Sequence, residues 1–303
     1  MEKISVNSIS KSYGNVEALK EISFNVDEGE LFGLIGPDGA GKTTLMRIIT
    51  TLLLPDSGNA KVCGYDVANE YKKVRTLLGY MPGRFSLYQD LSVEENLNFF
   101  AGVFGTTVQE NYDLIKNIYY KLEPFKKRRA GKLSGGMKQK LALSCALVHK
   151  PEVLVLDEPT TGVDAVSRKE FWDLLKELKM QGITIIVSTA YMDEASLCDR
   201  IALIQNGKIL GVNTPTGIIN AFPYKLFSIE CEKPTHALEN IRSLSICKNA
   251  YLFGNSLHFV SNNEENSPEI IAKTLEESGV KVDSVNEVSP EIEDCFIERM
   301  QRQ

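Results

Sequence analysis

The chain lacks paired cysteines: none of Cys63, Cys145, Cys198, Cys231, Cys247 and Cys295 stands in a C-x-x-C spacing, so they read as free cytosolic thiols and not as a disulfide framework. It has little histidine, only His149, His236 and His258. No apolar run approaches the roughly 18 residues that a membrane span needs, and no basic stretch followed by an apolar core opens the sequence. Neither a transmembrane segment nor a secretory leader is therefore expected. Positive charge is not in excess: 34 Lys and Arg stand against 40 Asp and Glu, for a net charge of −6, which disfavours nucleic acid as a bulk partner. What is present, 303 residues with 43% hydrophobic and 24% charged, suffices for one large α/β domain and a small companion.

The organising stretch is Leu31 to Leu45, an apolar strand that runs into a glycine-rich turn and then a helix. Gly36, Pro37, Asp38, Gly39, Ala40, Gly41, Lys42 and Thr43 spell a phosphate-binding loop in the strand–loop–helix context that the motif requires. Glycines at 36, 39 and 41 let successive N–H groups point inward, and the helix from Lys42 adds its positive dipole end. Lys42 is placed to reach β- and γ-phosphates, the Thr43 hydroxyl to ligate a phosphate-bound Mg²⁺, and Thr44 to add a phosphate hydrogen bond.

Around this loop the coarse pattern is α/β. Alternating apolar residues from Ile4 to Val26 predict an antiparallel β-layer. Tyr13, in the turn after the first strand, could stack on an adenine ring, with a plain surface tyrosine as the alternative. The helix from Lys42 is expected to continue through Leu52 and Leu53 to the break at Pro55. Residues 84–133 read as a helical insert, one of whose helices is opened by a capping box of Ser92 and Glu95. The basic run Lys126–Arg129 reads as a solvated face. Beyond Phe222 the order strand, helix, two strands, helix, strand suggests a ferredoxin-like β-α-β-β-α-β unit with a last helix from Ser289. The expected division is 1–222 and 223–303.

Downstream of the phosphate loop come Leu133-Ser134-Gly135-Gly136-Met137 at a helix start, then the strand Val153 to Leu156 ending in Asp157 and Glu158. With Thr161-Gly-Val-Asp164 these resemble, over roughly residues 1–220, the ATP-binding subunits of ABC transporters. The resemblance implies a P-loop NTPase fold of ABC type, with ATP and Mg²⁺ as ligands. It makes Asp157 a Mg²⁺ ligand beside Thr43, Glu158 the general base beside catalytic Lys42, and Asp164 the D-loop residue. Leu133 to Met137 become the signature that closes over the ATP of a second ATPase subunit. It further implies a transmembrane permease as partner, docked against the Gly83–Leu97 region, and a place on the cytosolic face of the cell membrane. A C-terminal extension ending like Pro290 to Glu298 is similar to those of drug- and lipid-exporter ATPases, where a dimer-stabilising role is expected over ligand sensing.

Two departures qualify this. Family members of this type carry a glutamine where this chain has Gly83, the nearest being Gln89, and a switch histidine where it has Ala190. Both belong to the chain's own ATP site, so a weakened site and a heterodimeric pairing are expected. The alternatives are a mainly regulatory nucleotide-gated subunit and a soluble ABC-type ATPase acting on ribosomes or DNA.

Overall fold

The computed structural model describes residues 1–263 and 265–301. It divides into two compact units, Met1–Ile218 with the residues from Arg299 onward, and Ile219–Glu298.

The first unit opens with β1 (Glu2–Tyr13) and β2 (Val16–Asp27), followed by β3 (Leu31–Ile35) and α1 (Lys42–Ile49). Next come β4 (Ser57–Val62), β5 (Tyr65–Asp66), α2 (Tyr71–Leu77) and β6 (Leu78–Met81). The helical insert supplies α3 (Val93–Val103) and α4 (Tyr112–Tyr119) and leads into α5 (Gly135–Leu147). Then follow β7 (Val153–Asp157), α6 (Ala165–Met180), β8 (Thr184–Thr189), β9 (Arg200–Gln205), β10 (Lys208–Asn213) and α7 (Pro215–Asn220).

Two sheets result. An antiparallel layer runs in the order β2-β1-β4-β5, and a six-stranded sheet in the order β10-β9-β3-β8-β7-β6, parallel except for the β9–β10 hairpin. Every residue of β3, β7 and β8 is buried, as expected of parallel strands covered on both faces. β1 and β2 alternate instead, and their inward residues (Ile4, Val6, Ile22, Val26) join Leu45, Met46, Ile48 and Ile49 of α1 in one core. Gly36 and the start of α1 therefore sit at the carboxyl edge of the parallel sheet, where open α/β sheets place ligands.

The antiparallel layer, helical insert and C-terminal unit agree with the expected fold, but α1 is shorter than its apolar spacing suggests. It stops at Ile49 because Thr51 turns left-handed (φ 64°) and the Leu52 and Leu53 amides both return to Arg47 O, while the Thr50 amide (3.0 Å) and hydroxyl (2.8 Å) both still donate to the Met46 carbonyl. Leu53 still packs on the core, whereas Leu52 is turned outward and exposed. The Ser92–Glu95 capping box is present, with both reciprocal bonds made (3.2 and 2.7 Å).

The second unit holds β11 (Leu226–Glu230), α8 (Pro234–Arg242), β12 (Cys247–Phe253), β13 (Ser256–Ser261), α9 (Pro268–Glu277), β14 (Ser284–Val288) and the start of α10 (Ile292–Gln301). Its sheet runs β12-β13-β11-β14 with every neighbour antiparallel, the order of a ferredoxin-like fold. A fully buried carboxylate pins α10 to this sheet. Asp294 accepts from the Tyr251 hydroxyl (2.7 Å) and the Glu291 amide (2.6 Å), and its Oδ1 lies 2.6 Å from His258 Nδ1. Asp294→Ala is expected to lower the stability of this unit by about 3 kcal/mol, because the buried Tyr251 and His258 side chains and the part-buried Glu291 amide lose their shared partner at once. Urea denaturation measures it, and an unchanged midpoint would show that the pin carries no stability.

Candidate functional site

The loop between β3 and α1 needs its glycines for reasons visible in the packing. A side chain on Gly36 would run into the Ile204 carbonyl. Gly41 adopts φ 107° with the Ala18 carbonyl 2.5 Å from where a Cβ would stand. The loop is anchored on both sides, by Gly36 N–H to Thr189 O (3.2 Å) and Gly207 N–H to Ala40 O (3.0 Å). Asp38 and Gly39 face solvent, Pro37 is half-buried, and Thr43 and Thr44 lie half-buried on the first turn of α1. No acidic residue occupies that first turn, so the positive end of the helix dipole is uncompensated.

Lys42 is buried, and its Nζ spans the mouth of the loop. It donates to Gly36 O (2.7 Å) and Pro37 O (2.9 Å) and lies 3.1 Å from Glu158 Oε1. Opposite it, Asp157 ends β7 and accepts from Thr43 Oγ1 (3.2 Å) and Ser188 Oγ (2.7 Å). Burial pushes the Asp157 carboxyl above the usual range, and these two hydrogen bonds only partly oppose it. A buried, incompletely compensated carboxylate beside a hydroxyl suits a small hard cation. Among the described residues no cluster of three His, Cys, Asp or Glu could hold a metal unaided, so the remaining ligands would be phosphate and water oxygens.

Glu158 carries a left-handed backbone (φ 49°), uncommon for a non-glycine residue and a form of strain that collects at functional sites. Its N–H is held by both Oγ (3.0 Å) and O (3.1 Å) of Ser188. Ser188 thus braces both acids, a role that the sequence reading passed over. The available signal was a serine just before the end of a buried strand that is otherwise aliphatic between its two terminal threonines.

Tyr13 pairs with Val16 at the turn of the β1–β2 hairpin, near Ala18, whose carbonyl abuts Gly41, and its side chain is half-exposed. Ser134 caps α5, accepting from Met137 N–H (3.4 Å), with Leu133 buried behind it and Gly135 exposed. Gly136 leaves room for the Ser167 hydroxyl, 2.6 Å from where its Cβ would be. Asp164 caps α6, and the Ser167 amide that it accepts (2.9 Å) holds its carboxyl below the ordinary range. The structure therefore gathers Lys42, Thr43, Asp157 and Glu158, while among the described residues no hydrogen bond or ion pair joins 133–137 to them.

The two departures fall at the edge of the gathered site. A Cβ on Gly83 would stand 3.0 Å from the Asp157 carbonyl and 3.8 Å from its Oδ2. Ala190 directly follows β8 and is half-buried. Gln89 does not stand in for the missing glutamine: its carbonyl accepts from Gly131 (2.9 Å) and it packs within the insert. His149 stacks on Phe104 (rings 3.7 Å apart), and burial pushes its pKa down to about 4. Both rings line an apolar cavity of about 520 Å³ together with Leu52, Met81, Leu87 and Phe100. Exposed Tyr88, Phe99 and Val103 lie in and beside α3, the helix that forms part of this wall.

The profile of the ABC transporter family matches residues 19–161. The probable multidrug ABC transporter ATP-binding protein YbhF of Escherichia coli (strain K12) is 37% identical over 301 residues, 97% of this chain and 51% of its own length. The chain thus spans about half the length of that relative. Nod factor export ATP-binding protein I of Burkholderia lata is 39% identical over 221 residues, 72% of this chain and 73% of its own. Among solved structures, the dimeric post-hydrolysis ATP-binding cassette MJ0796 bound to ADP and Pi superimposes with a TM-score of 0.63 at 26% identity, over 70% of this chain and 98% of that one.

Proposed function

This chain belongs to the ABC transporter family of ATP-binding proteins, and from that premise we propose that it is the ATP-binding and ATP-hydrolysing subunit of an exporter, working through a separate transmembrane permease. The observation that carries the proposal is the meeting of Lys42, Thr43, Asp157 and Glu158 at the mouth of the glycine loop. In the proposed complex Lys42 exchanges its Glu158 partner for the β- and γ-phosphates, and the loop amides and the helix end take up the remaining phosphate charge. Thr43 and Asp157 would hold Mg²⁺, which when bound would supply positive charge against the phosphate oxygens. Glu158, released from Lys42, orients and deprotonates the attacking water. Tyr13 stacks on the adenine.

Residues 1–222 are proposed as the cassette and 223–303 as an accessory domain that stabilises a dimer. Ser134 and Gly135 are exposed and Gly136 is half-buried at a helix start, which suits a role toward the ATP of a second subunit. The apolar cavity between α3 and α5 suits a permease helix, and among the described residues no helix is long and apolar enough to cross a membrane. On this reading the chain works on the cytosolic face of the membrane. The multidrug and Nod factor export named for its relatives supports the outward direction.

Gly83 and Ala190 remove two groups from the site built on this chain's own Lys42, whereas Ser134 to Gly136 serve the opposite site. A heterodimer is therefore proposed, in which a partner with its own glutamine and histidine owns the faster site. The test is the ATPase rate of the complex co-purified from native membrane. Ser134→Arg is expected to reduce turnover more than Glu158→Gln does. Equal losses would favour a homodimer with two equivalent sites, and absence of a multi-span membrane protein from the complex would remove the permease. A mainly regulatory subunit with little hydrolysis of its own is the second reading, favoured by the same two positions.

A further inference from the structure

One buried carboxylate near the site takes no part in the chemistry above. Glu194 follows β8 by a few residues and is 2% exposed, deeper than most carboxylates without a close counter-charge tolerate. Its Oε1 accepts from the Thr160 hydroxyl (2.8 Å), itself 1% exposed, and the nearest cation, Arg168 Nε, is 3.9 Å away. Its Oε2 is buried without a partner. A carboxylate kept there for stability alone would be poorly chosen, since an apolar residue of similar volume is often neutral or better.

Its position suggests another use. Thr160 lies in the turn that leaves Glu158, where Thr161 N–H returns to Glu158 O (3.3 Å) and Val163 N–H to Thr160 O (3.2 Å). That turn ends at Asp164 and α6, and Arg168 of α6 pairs with Asp193 (2.9 Å) and covers the Tyr191 ring (5.0 Å). On its other side Glu158 is gripped by Ser188. One continuous segment, 188–194, therefore restrains the left-handed Glu158 from both sides, at Ser188 before it and through Glu194–Thr160 after it. Ala190 sits in the middle of that segment.

We propose that Glu194 is a positioning residue for hydrolysis: through Thr160 it fixes the turn that carries Glu158, and so keeps the base aimed although Ala190 offers the phosphate no hydrogen bond. The proposal rests on the ATPase reading for its rate consequence but not for its structural one. It predicts that the clamp acts on the 158–164 turn and leaves the phosphate loop alone.

The experiment compares full-length Glu194→Ala, Thr160→Val and Thr160→Ser with the parent chain. Amide exchange is followed by mass spectrometry over 158–164 and 36–49, with MgATP affinity and single-turnover hydrolysis of radiolabelled ATP by excess protein. Glu194→Ala and Thr160→Val are expected to speed exchange in 158–164 about tenfold, the loss of one buried hydrogen bond, while 36–49 and MgATP affinity stay as in the parent. The single-turnover rate falls about tenfold, as expected for a displaced base. Thr160→Ser, which keeps the hydroxyl, restores the parent values. Unchanged exchange in 158–164 in folded Glu194→Ala overturns the proposal. So does a change in 36–49 and in affinity that keeps step with 158–164, which would make Glu194 a general stability residue. Failure of the parent chain to bind ATP at all would refute the ATPase reading, and the exchange comparison would still decide the clamp.

Discussion

Lys42→Ala is expected to weaken MgATP binding by at least about a hundredfold, the loss of a charge-assisted contact to the phosphates inside a buried loop. The side chain is 2% exposed and has no alternative course: its ammonium already bridges two loop carbonyls and Glu158 within 3.1 Å. Nothing else in the loop from Gly36 to Thr44 carries positive charge, while Asp38 adds a negative one. Removing the ammonium would also leave Glu158 uncompensated beside incoming phosphate, so repulsion adds to lost attraction. Calorimetric titration of MgATP into wild-type and variant chains measures the effect, with a thermal melt to establish that the variant is folded. Unchanged affinity in a folded variant would remove the phosphate cradle as the nucleotide site.

The second large effect is a gain. Gly83→Gln combined with Ala190→His is expected to raise hydrolysis by the chain's own site on the order of a hundredfold, the usual worth of a preorganised donor at developing charge. Gly83 has no left-handed φ that would strain a side chain, and a Cβ there meets only the Asp157 carbonyl, at 3.0 Å, a contact relieved by a few tenths of an ångström. The new side chain starts with its Cβ 3.8 Å from Asp157 Oδ2, beside the proposed cation position. Residue 190 directly follows Thr189, whose carbonyl anchors Gly36, so a histidine there enters from the rim of the loop. The two substitutions address one phosphate and are expected to be non-additive, with the pair exceeding the product of the singles. Steady-state phosphate release decides it, and adding Glu158→Gln must return the rate to background if the gain arises at this site. Robust hydrolysis by the unmodified chain, abolished by Glu158→Gln, would overturn the weakened-site reading.

Local devices were legible: the glycine loop, the Ser92–Glu95 box, the apolar strand from Val153, and the alternating layer of β1 and β2. Each is encoded within a few residues by backbone freedom, capping chemistry or hydrophobic period. The expected end of α1 differs because Leu52 and Leu53 continue the apolar spacing, while the termination lies in the left-handed turn at Thr51, after which both leucine amides return to Arg47 O. Periodicity registers where apolar groups recur and is blind to that backbone turn.

The sequence by itself determined a glycine-rich strand–loop–helix and an acid pair at the end of an apolar strand, because residue type at a fixed local spacing suffices for each, whereas Gly83 and Ala190 stand out only against the family that the chain resembles. Only the tertiary structure decided how they meet. Thr43 reaches Asp157 across 114 positions of sequence, and Ser188 reaches the same carboxylate across 31, since β3, β7 and β8 are neighbours in one parallel sheet. The link from Glu194 to Thr160, the distance from Gly83 to Asp157 and the apolar cavity behind α3 follow from that sheet order. They are contacts between segments remote in the chain, set by which strands pair and which faces they bury, and no local spacing carries that information.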